Sequence, residues 1–366
     1  MHNLLSYIIW DSNPILFTLG SFEARWYGLL FASAFFFGQY FITKIFRGEG
    51  KPDRDVETIT VYMMVATVVG ARLGHCLFYE PEYYLSHPIE ILKIWKGGLA
   101  SHGATVGIIA AMYFYSRNRP GQSMLWILDR IVIVVALGGF FIRMGNLMNS
   151  EIVGKPTDVP WAFVFAAGEQ AGIGKQVMAY APEGMIDKVE YKDGGADIVA
   201  DGGEQLRAVD LKVHFAQGNE ASIAEFGKNT LPTALKMSDL VLDNYRLYAS
   251  DLTPKVQGQT LTVRLAGVPR HPSQLYEALS TFALFLLLYT LWNKMKEKTP
   301  EGLFFGIFVV VLFSLRFFYE FYKENQVEFE DELTFNLGQL LSIPMVIIGI
   351  AVLGRALLLK KKETLM

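Results

Sequence analysis

The sequence predicts an all-α polytopic membrane protein: seven transmembrane helices with an inserted extracytoplasmic domain of mixed or β-rich structure. Three observations carry this. Of 366 residues, 52% are hydrophobic, and the mean hydropathy is +0.28, more apolar than a typical globular chain. The apolar residues gather into repeated runs of about 20, the length that crosses a bilayer. One stretch of about 100 residues contains no such run, and is long enough to form a small domain.

The spans are expected at 27–46, 57–79, 98–116, 125–142, 273–293, 302–322 and 336–357. Several carry a glycine (Gly38, Gly70, Gly107, Gly138), as membrane helices do where they pack closely. The chain therefore divides into residues 1–165 with spans one to four, 166–265 as the insertion, and 266–366 with spans five to seven. Within the insertion, Gly194-Gly195 and Asp201-Gly202-Gly203 read as turns. Leu211–Phe215 and Thr260–Leu265 alternate apolar with polar, as half-buried strands do.

Basic residues mark alternate loops: Arg47, Lys51 and Arg54; Arg117 and Arg119; Lys294, Lys296 and Lys298; Lys360 to Lys362. By the positive-inside rule these face the cytoplasm. The loop with Glu324, Glu328, Glu330, Asp331 and Glu332 belongs to the opposite set. Seven spans then put the N-terminus outside and the C-terminus inside. The N-terminus has no basic region and no small-residue cleavage site, so the first span is expected to direct insertion itself. The single cysteine, Cys76, can form no intrachain disulfide and reads as a small buried hydrophobe.

The most unusual stretch is Arg143 to Gly154. A cation, two amides, a carboxylate and two glycines emerge where the apolar run 127–142 ends. Ionisable groups at membrane depth are costly and usually functional. On a continuing helix Arg143 and Asn146 share a face. Under the expected topology, other polar groups collect at the same leaflet: Arg25-Trp26-Tyr27-Gly28, Arg72, Gly97-Gly98-Leu99-Ala100-Ser101-His102-Gly103, His271-Pro272-Ser273-Gln274-Leu275-Tyr276-Glu277, and Arg316 with Glu320. Each has a bland alternative. Trp26 and Tyr27 suit an interfacial belt, Arg72 could snorkel, His102 could be a turn residue, and Arg316 and Glu320 could neutralise each other. Packing defects would scatter over both leaflets; these do not. No metal-ligand spacing, phosphate loop or nucleophile elbow is present, and no basic, aromatic-interleaved stripe points to nucleic acid.

These motifs, in this order, resemble the bacterial prolipoprotein diacylglyceryl transferases. The Arg143–Gly154 signature and the HPxQLYE motif are specific; the WYG and GARLG pieces are weaker. The chain departs from the family pattern at Ile142, where glycine is usual, at Leu147, where phenylalanine is usual, and at Leu312, where tyrosine is common. Its segment between Gly154 and His271 is also unusually long. The resemblance implies an inner-membrane transferase that moves diacylglyceryl from phosphatidylglycerol to the lipobox cysteine of a prolipoprotein signal peptide, releasing glycerol phosphate. It implies no cofactor and no metal, and an active site facing the outer leaflet.

Chemistry then suggests roles. Guanidinium groups make forked, charge-assisted bonds to phosphate, which suits Arg143 and Arg316. A thiol needs deprotonation, and His102 is the natural general base because an imidazole as such titrates near neutral pH, with Glu151 the next candidate. Tyr27, Asn146 and Glu151 would orient the head group or hold the arginines. Glu320 would position Arg316. Gly154, Arg72, His271, Gln274, Tyr276 and Glu277 complete the expected substrate-binding set. A transporter should show repeats and midplane charges. A lipid-binding scaffold has no need of His102, and a phospholipid hydrolase would use water as acceptor.

Overall fold

A computed structural model describes residues 7–20, 22–94, 98, 100–166, 172–199, 203–236, 245–246, 253–324 and 334–365. Gly97, Leu99, Asp201, Gly202 and the acidic residues 328–332 lie outside the described residues.

Seven long helices form: α1 (Trp26–Gly48), α2 (Asp53–Phe78), α3 (Ser101–Arg117), α4 (Met124–Met148), α5 (Ser273–Met295), α6 (Leu303–Tyr319) and α7 (Leu337–Leu365). Among the described residues, six are long and apolar enough to cross a membrane; α3, with 17 residues, is not one of the six. At 1.5 Å per residue it measures about 25 Å. The fold is thus the expected multi-pass helical one with an inserted sheet region. Two helices outrun their apolar runs. α2 begins at Asp53 because Pro52 stands at its cap and Asp53 and Asp55 occupy its first turn, where carboxylates favour the helix dipole. α4 continues to Met148 and so carries the first half of the signature.

The chain divides into two compact units. One comprises Met1–Ala32, Phe140–Ser280 and Arg316–Leu340; the other comprises Ser33–Gly139, Thr281–Leu315 and Leu341–Met366.

In the second unit, α2 and α3 touch backbone to backbone. A Cβ on Gly103 would lie 2.3 Å from the Gly70 carbonyl, and one on Gly74 would lie 2.6 Å from Gly103 Cα. Gly70/Gly74 face Gly103/Gly107, the small-xxx-small spacing that lets membrane helices approach closely. The glycines of the GARLG run are therefore packing residues. Cys76 is fully buried and free. The same unit holds a sealed ion cluster. Arg130 donates to both carboxylate oxygens of Glu49 (2.8–3.2 Å) and lies over the Trp126 ring, and Trp292 Nε1 donates to Glu49 (2.7 Å). Asp129 accepts from the Gly302 and Phe305 amides (2.7 and 2.8 Å), capping the start of α6.

In the first unit lie the strands. β1 (Ile8–Trp10) pairs in parallel with β4 (Phe163–Phe165), and β2 (Ile15–Leu19) forms a hairpin with β3 (Phe22–Arg25). The remaining five make one sheet. β5 (Ile186–Val199) and β6 (Gln205–Phe215) are antiparallel, and β9 (Thr260–Gly267) pairs with β6, β7 (Tyr245–Arg246) and β8 (Lys255–Gln257). Both alternating segments read from the sequence are strands, paired with each other. Gly194-Gly195 is not a turn. It sits inside β5 at a register shift between Asp193 and Asp197, where Gly195 has φ +91° and a Cβ on Gly194 would lie 2.8 Å from Ala208. Glycine there makes a bulge, the other common use of glycine in a strand. The inward residues (Val189, Leu211, Val213, Leu261, Val263) form a core with Ile223, Leu231 and Leu235 from short helices. That core also recruits Val164, and Ile9 packs against it, so the insertion is tied to the N-terminal segment.

Candidate active site

The signature is built on a helix end. α4 stops at Met148, after which Ser150 adopts φ +54°. The Glu151 amide donates to the Asn146 carbonyl (3.0 Å) and the Ser150 amide to the Leu147 carbonyl (3.0 Å). This six-to-one and five-to-two pair is a Schellman cap, usually made with glycine at the left-handed position. Two residues on, Ile152 has φ +57°, an outlier for a β-branched side chain. Such backbone persists only when its surroundings hold it.

The HPSQLYE motif supplies the hold. Ser273 Oγ donates to the Ile152 carbonyl (2.7 Å) and Gln274 Nε2 to the Glu151 carbonyl (2.6 Å). Gly154 lets the segments close: its amide donates to the His271 carbonyl (3.0 Å), and a Cβ there would meet His271 at 2.5 Å and the Tyr322 carbonyl at 2.8 Å. Arg270 donates to the Gly154 carbonyl and to Glu324 (3.1 and 2.5 Å). Signature, motif and the chain after α6 thus form one structure.

The folded turn aligns a chain of polar side chains. Arg143 Nε pairs with Glu277, and its Nη1 donates to Asn146 Oδ1 (3.3 Å). Asn146 Nδ2 donates to Glu151 Oε2 (3.2 Å), and Asn149 Nδ2 to Glu151 Oε1 (3.1 Å). Lys323 pairs with Glu277 and, at 3.3 Å, with Glu320. Glu320 accepts from Asn336 (3.1 Å) and lies 3.8 Å from Arg316 Nε. Gly338 gives Glu320 room: a Cβ there would lie 2.6 Å from its carboxyl carbon. Lys323, in the middle of the chain, is 4% exposed, whereas Arg143 and Arg316 on either side of it are 23% and 46% exposed. Tyr27 lies against the same helix end, since a Cβ on Gly145 would sit 2.8 Å from its ring. Gln274 Oε1, Asn149 Oδ1 and Ser150 Oγ are buried without a hydrogen bond among the described residues, and buried polar atoms left this way call for an explanation.

Burial holds His271 below the ordinary imidazole value, against a smaller opposing pull from Asp158. Its ring is therefore neutral at pH 7. Trp161 Nε1 donates to the Tyr276 hydroxyl (2.8 Å), which leaves that hydroxyl to donate to His271 Nδ1 (3.1 Å).

The structure brings together Tyr27, Arg143, Asn146, Glu151, Gly154, His271, Gln274, Tyr276, Glu277, Arg316 and Glu320, all in one unit. His102 and Arg72 belong to the other. Arg72 is 3% exposed and its guanidinium is occupied: it donates to the carbonyls of Glu90, Ile91 and Gly98 (2.6, 2.9 and 3.3 Å) and lies over the Tyr84 ring. It clamps a loop and does not snorkel. His102 is exposed at the first turn of α3, its ring edge-on to Phe78 at 5.0 Å and 5.9 Å from Tyr79. Sequence reasoning missed Lys323, Asn336 and the backbone duty of Ser273. Lys323 follows Glu320 by one helical turn, but after an apolar span it reads as an ordinary flanking lysine.

Residues 14–355 match the model of a family described as prolipoprotein diacylglyceryl transferase. The chain is similar to phosphatidylglycerol–prolipoprotein diacylglyceryl transferases of Chloroherpeton thalassium (38% identity, 94% of this chain and 92% of the relative). It is also similar to those of Tolumonas auensis (34%, 97% and 98%) and Bacteroides fragilis (33%, 96% and 95%).

Proposed function

The chain belongs to the prolipoprotein diacylglyceryl transferase family, and on that premise we propose how its residues carry the reaction. It is a membrane transferase that moves diacylglyceryl from phosphatidylglycerol to a prolipoprotein cysteine, the first step of lipoprotein maturation. The thiolate sulfur of the lipobox cysteine attacks the terminal glyceryl carbon. A carbon–sulfur bond forms, the carbon–oxygen bond to phosphate breaks, and glycerol phosphate leaves with the electron pair. The thiol proton goes to a base.

The observation that carries the site assignment is the alternating chain that ends in a half-exposed guanidinium. Arg316 has a single ion pair at 3.8 Å among the described residues, so its donors are available to a lipid phosphate. Arg143 is aimed by Glu277 and Asn146. As the carbon–oxygen bond breaks, phosphate charge grows, and fixed donors placed there stabilise the transition state. Tyr27, next to Gly145, lines the same helix end. His102 is the base, an exposed imidazole in ring contact with Phe78 and Tyr79.

The site faces the outer leaflet of the cytoplasmic membrane, the N-terminus lies outside and the insertion is extracytoplasmic. The support is the Lys/Arg asymmetry of the loops. Reporter fusions after Arg119 and Lys298 should read cytoplasmic, and one after Gly203 external; a cytoplasmic signal at Gly203 would overturn the assignment.

The reaction is tested with purified protein, labelled phosphatidylglycerol and a lipobox peptide. Labelled diacylglyceryl should appear on the peptide thiol; release to water instead would make the chain a hydrolase. His102→Gln should lose about 10²–10⁴ in rate and regain part of it at alkaline pH, where more thiol is ionised. A pH–rate profile identical to that of the unaltered protein would move the base elsewhere, to Glu151 first.

A further inference from the structure

We propose that Lys323 is a positioning residue that joins the two arginine–carboxylate pairs into one phosphate site. The inference rests on the transferase reading and deepens it. Lys323 is 4% exposed, and a buried ammonium is tolerated only when paired. It is paired twice, to Glu277 and to Glu320. Glu277 is the carboxylate that holds Arg143, and Glu320 is the one beside Arg316. Glu277 stands in the second turn of α5, and Glu320 follows the last residue of α6. Lys323 is thus the group through which the two guanidiniums share a fixed spacing.

The backbone explains how it gets there. Lys323 forms an antiparallel bridge with Gly154, and the Lys155 amide donates to the Tyr322 carbonyl (2.8 Å). The signature glycine, which admits no Cβ at that place, fixes the main chain from which the ammonium reaches inward. α5 thus meets the chain after α6 at one nitrogen, and the signature holds the backbone behind it.

Charge counting gives the consequence. Three cations (Arg143, Lys323, Arg316) alternate with three carboxylates (Glu151, Glu277, Glu320), so the chain is neutral. Without Lys323 it carries one negative charge, and Glu277 and Glu320 lose the cation they share. Each carboxylate then draws harder on its own arginine, and an anionic phosphodiester enters a negative site. The loss should fall on binding of the anionic lipid before it falls on turnover.

The experiment measures KM and kcat for phosphatidylglycerol with saturating lipobox peptide, alongside binding of detergent-purified protein to nanodiscs of phosphatidylglycerol or phosphatidylcholine. Lys323→Met should raise KM about tenfold or more, on the scale of a lost charge-assisted bond, with a smaller change in kcat. It should also erase the preference for the anionic nanodisc. Lys323→Arg should recover part of the KM loss, because charge is kept. Lys323→Met combined with Glu320→Gln restores neutrality and should have a lower KM than Lys323→Met alone. A purely structural lysine predicts the opposite, the double variant being worse than either single one. An unchanged KM in Lys323→Met, or no recovery in the double variant, overturns the proposal. If Lys323→Met does not accumulate, the charge-balanced Lys323→Gln/Glu277→Gln variant, compared with Glu277→Gln, decides the same point. Failure of the unaltered protein to modify the peptide would sink the transferase reading itself, leaving the nanodisc comparison to judge Lys323.

Discussion

The Glu49–Arg130 cluster of one unit and the Arg143–Arg316 chain of the other are built from the same groups to different ends. In the Glu49–Arg130–Trp292 cluster both charged side chains are essentially unexposed, 0% and 1%, and Arg130 is matched to Glu49 through a fork and to an aromatic face. No residue in it has a left-handed backbone. In the Arg143–Glu277–Lys323–Glu320–Arg316 chain the outermost guanidinium is 46% exposed. Polar atoms nearby lack partners, and two non-glycine residues at the adjoining turn have positive φ. The first cluster is finished and the second is open. A complete buried network rigidifies; strain and unsatisfied groups call for an explanation, and the site proposal is built on them. Identity of side chains does not separate structural from functional charge. Satisfaction does.

That contrast can be broken in graded steps. The largest effect belongs to the sealed cluster. Arg130→Leu strands Glu49 in a buried site, and breaking a buried pair costs about 3–5 kcal/mol. The expected outcome is a large fall in thermal stability in detergent, while kcat/KM of whatever protein remains folded is unchanged. A stable but inactive Arg130→Leu protein would erase the distinction.

Arg143→Lys reverses the pattern. It keeps charge but loses the planar fork, and removing a donor that acts in the transition state costs about 10²–10³ in rate, or ~3–4 kcal/mol. Its melting temperature should stay close to that of the unaltered protein, and alkaline pH should not restore activity. Full activity in Arg143→Lys would reduce the role to net charge.

Ser150→Gly probes the strain. Glycine suits the left-handed cap, and the change also removes a buried hydroxyl without a partner, so stability should rise by ~1 kcal/mol. Activity should fall several-fold if that hydroxyl serves the head group. A variant that is less stable would show that Ser150 is not strained.

The smallest effect lies on the insertion. Glu190 accepts from His214 (3.0 Å) with Lys188 and Lys192 nearby, and these hold its carboxyl at about 2. A carboxylate depressed by folding adds stability above its unfolded value of about 4.3 that is lost as pH falls towards 2. The group is largely solvated, so Glu190→Gln should flatten the acid side of the stability profile by less than about 1 kcal/mol, with transferase activity untouched.

Much of this was legible in the sequence. Runs of about 20 apolar residues fix helices, because an unsatisfied backbone in lipid has no alternative. Strand alternation at 211–215 and 260–265 fixed which face of each strand is buried, because side chains alternate with period two. Arg143 and Asn146 shared a helical face as their spacing required. The identity of the charged residues marked the site, since such groups at membrane depth are seldom idle.

Other features needed the folded chain. Gly194-Gly195 has the composition of a turn, and only pairing with β6 made it a bulge. Arg72 carries the same guanidinium as Arg316, yet three carbonyls of a loop 18–26 residues away in sequence occupy it. Local periodicity is a property of neighbouring residues and is written in the sequence. Whether a charge is sealed, occupied or open depends on which distant groups reach it, and that is decided only when the helices and the signature turn close on one another.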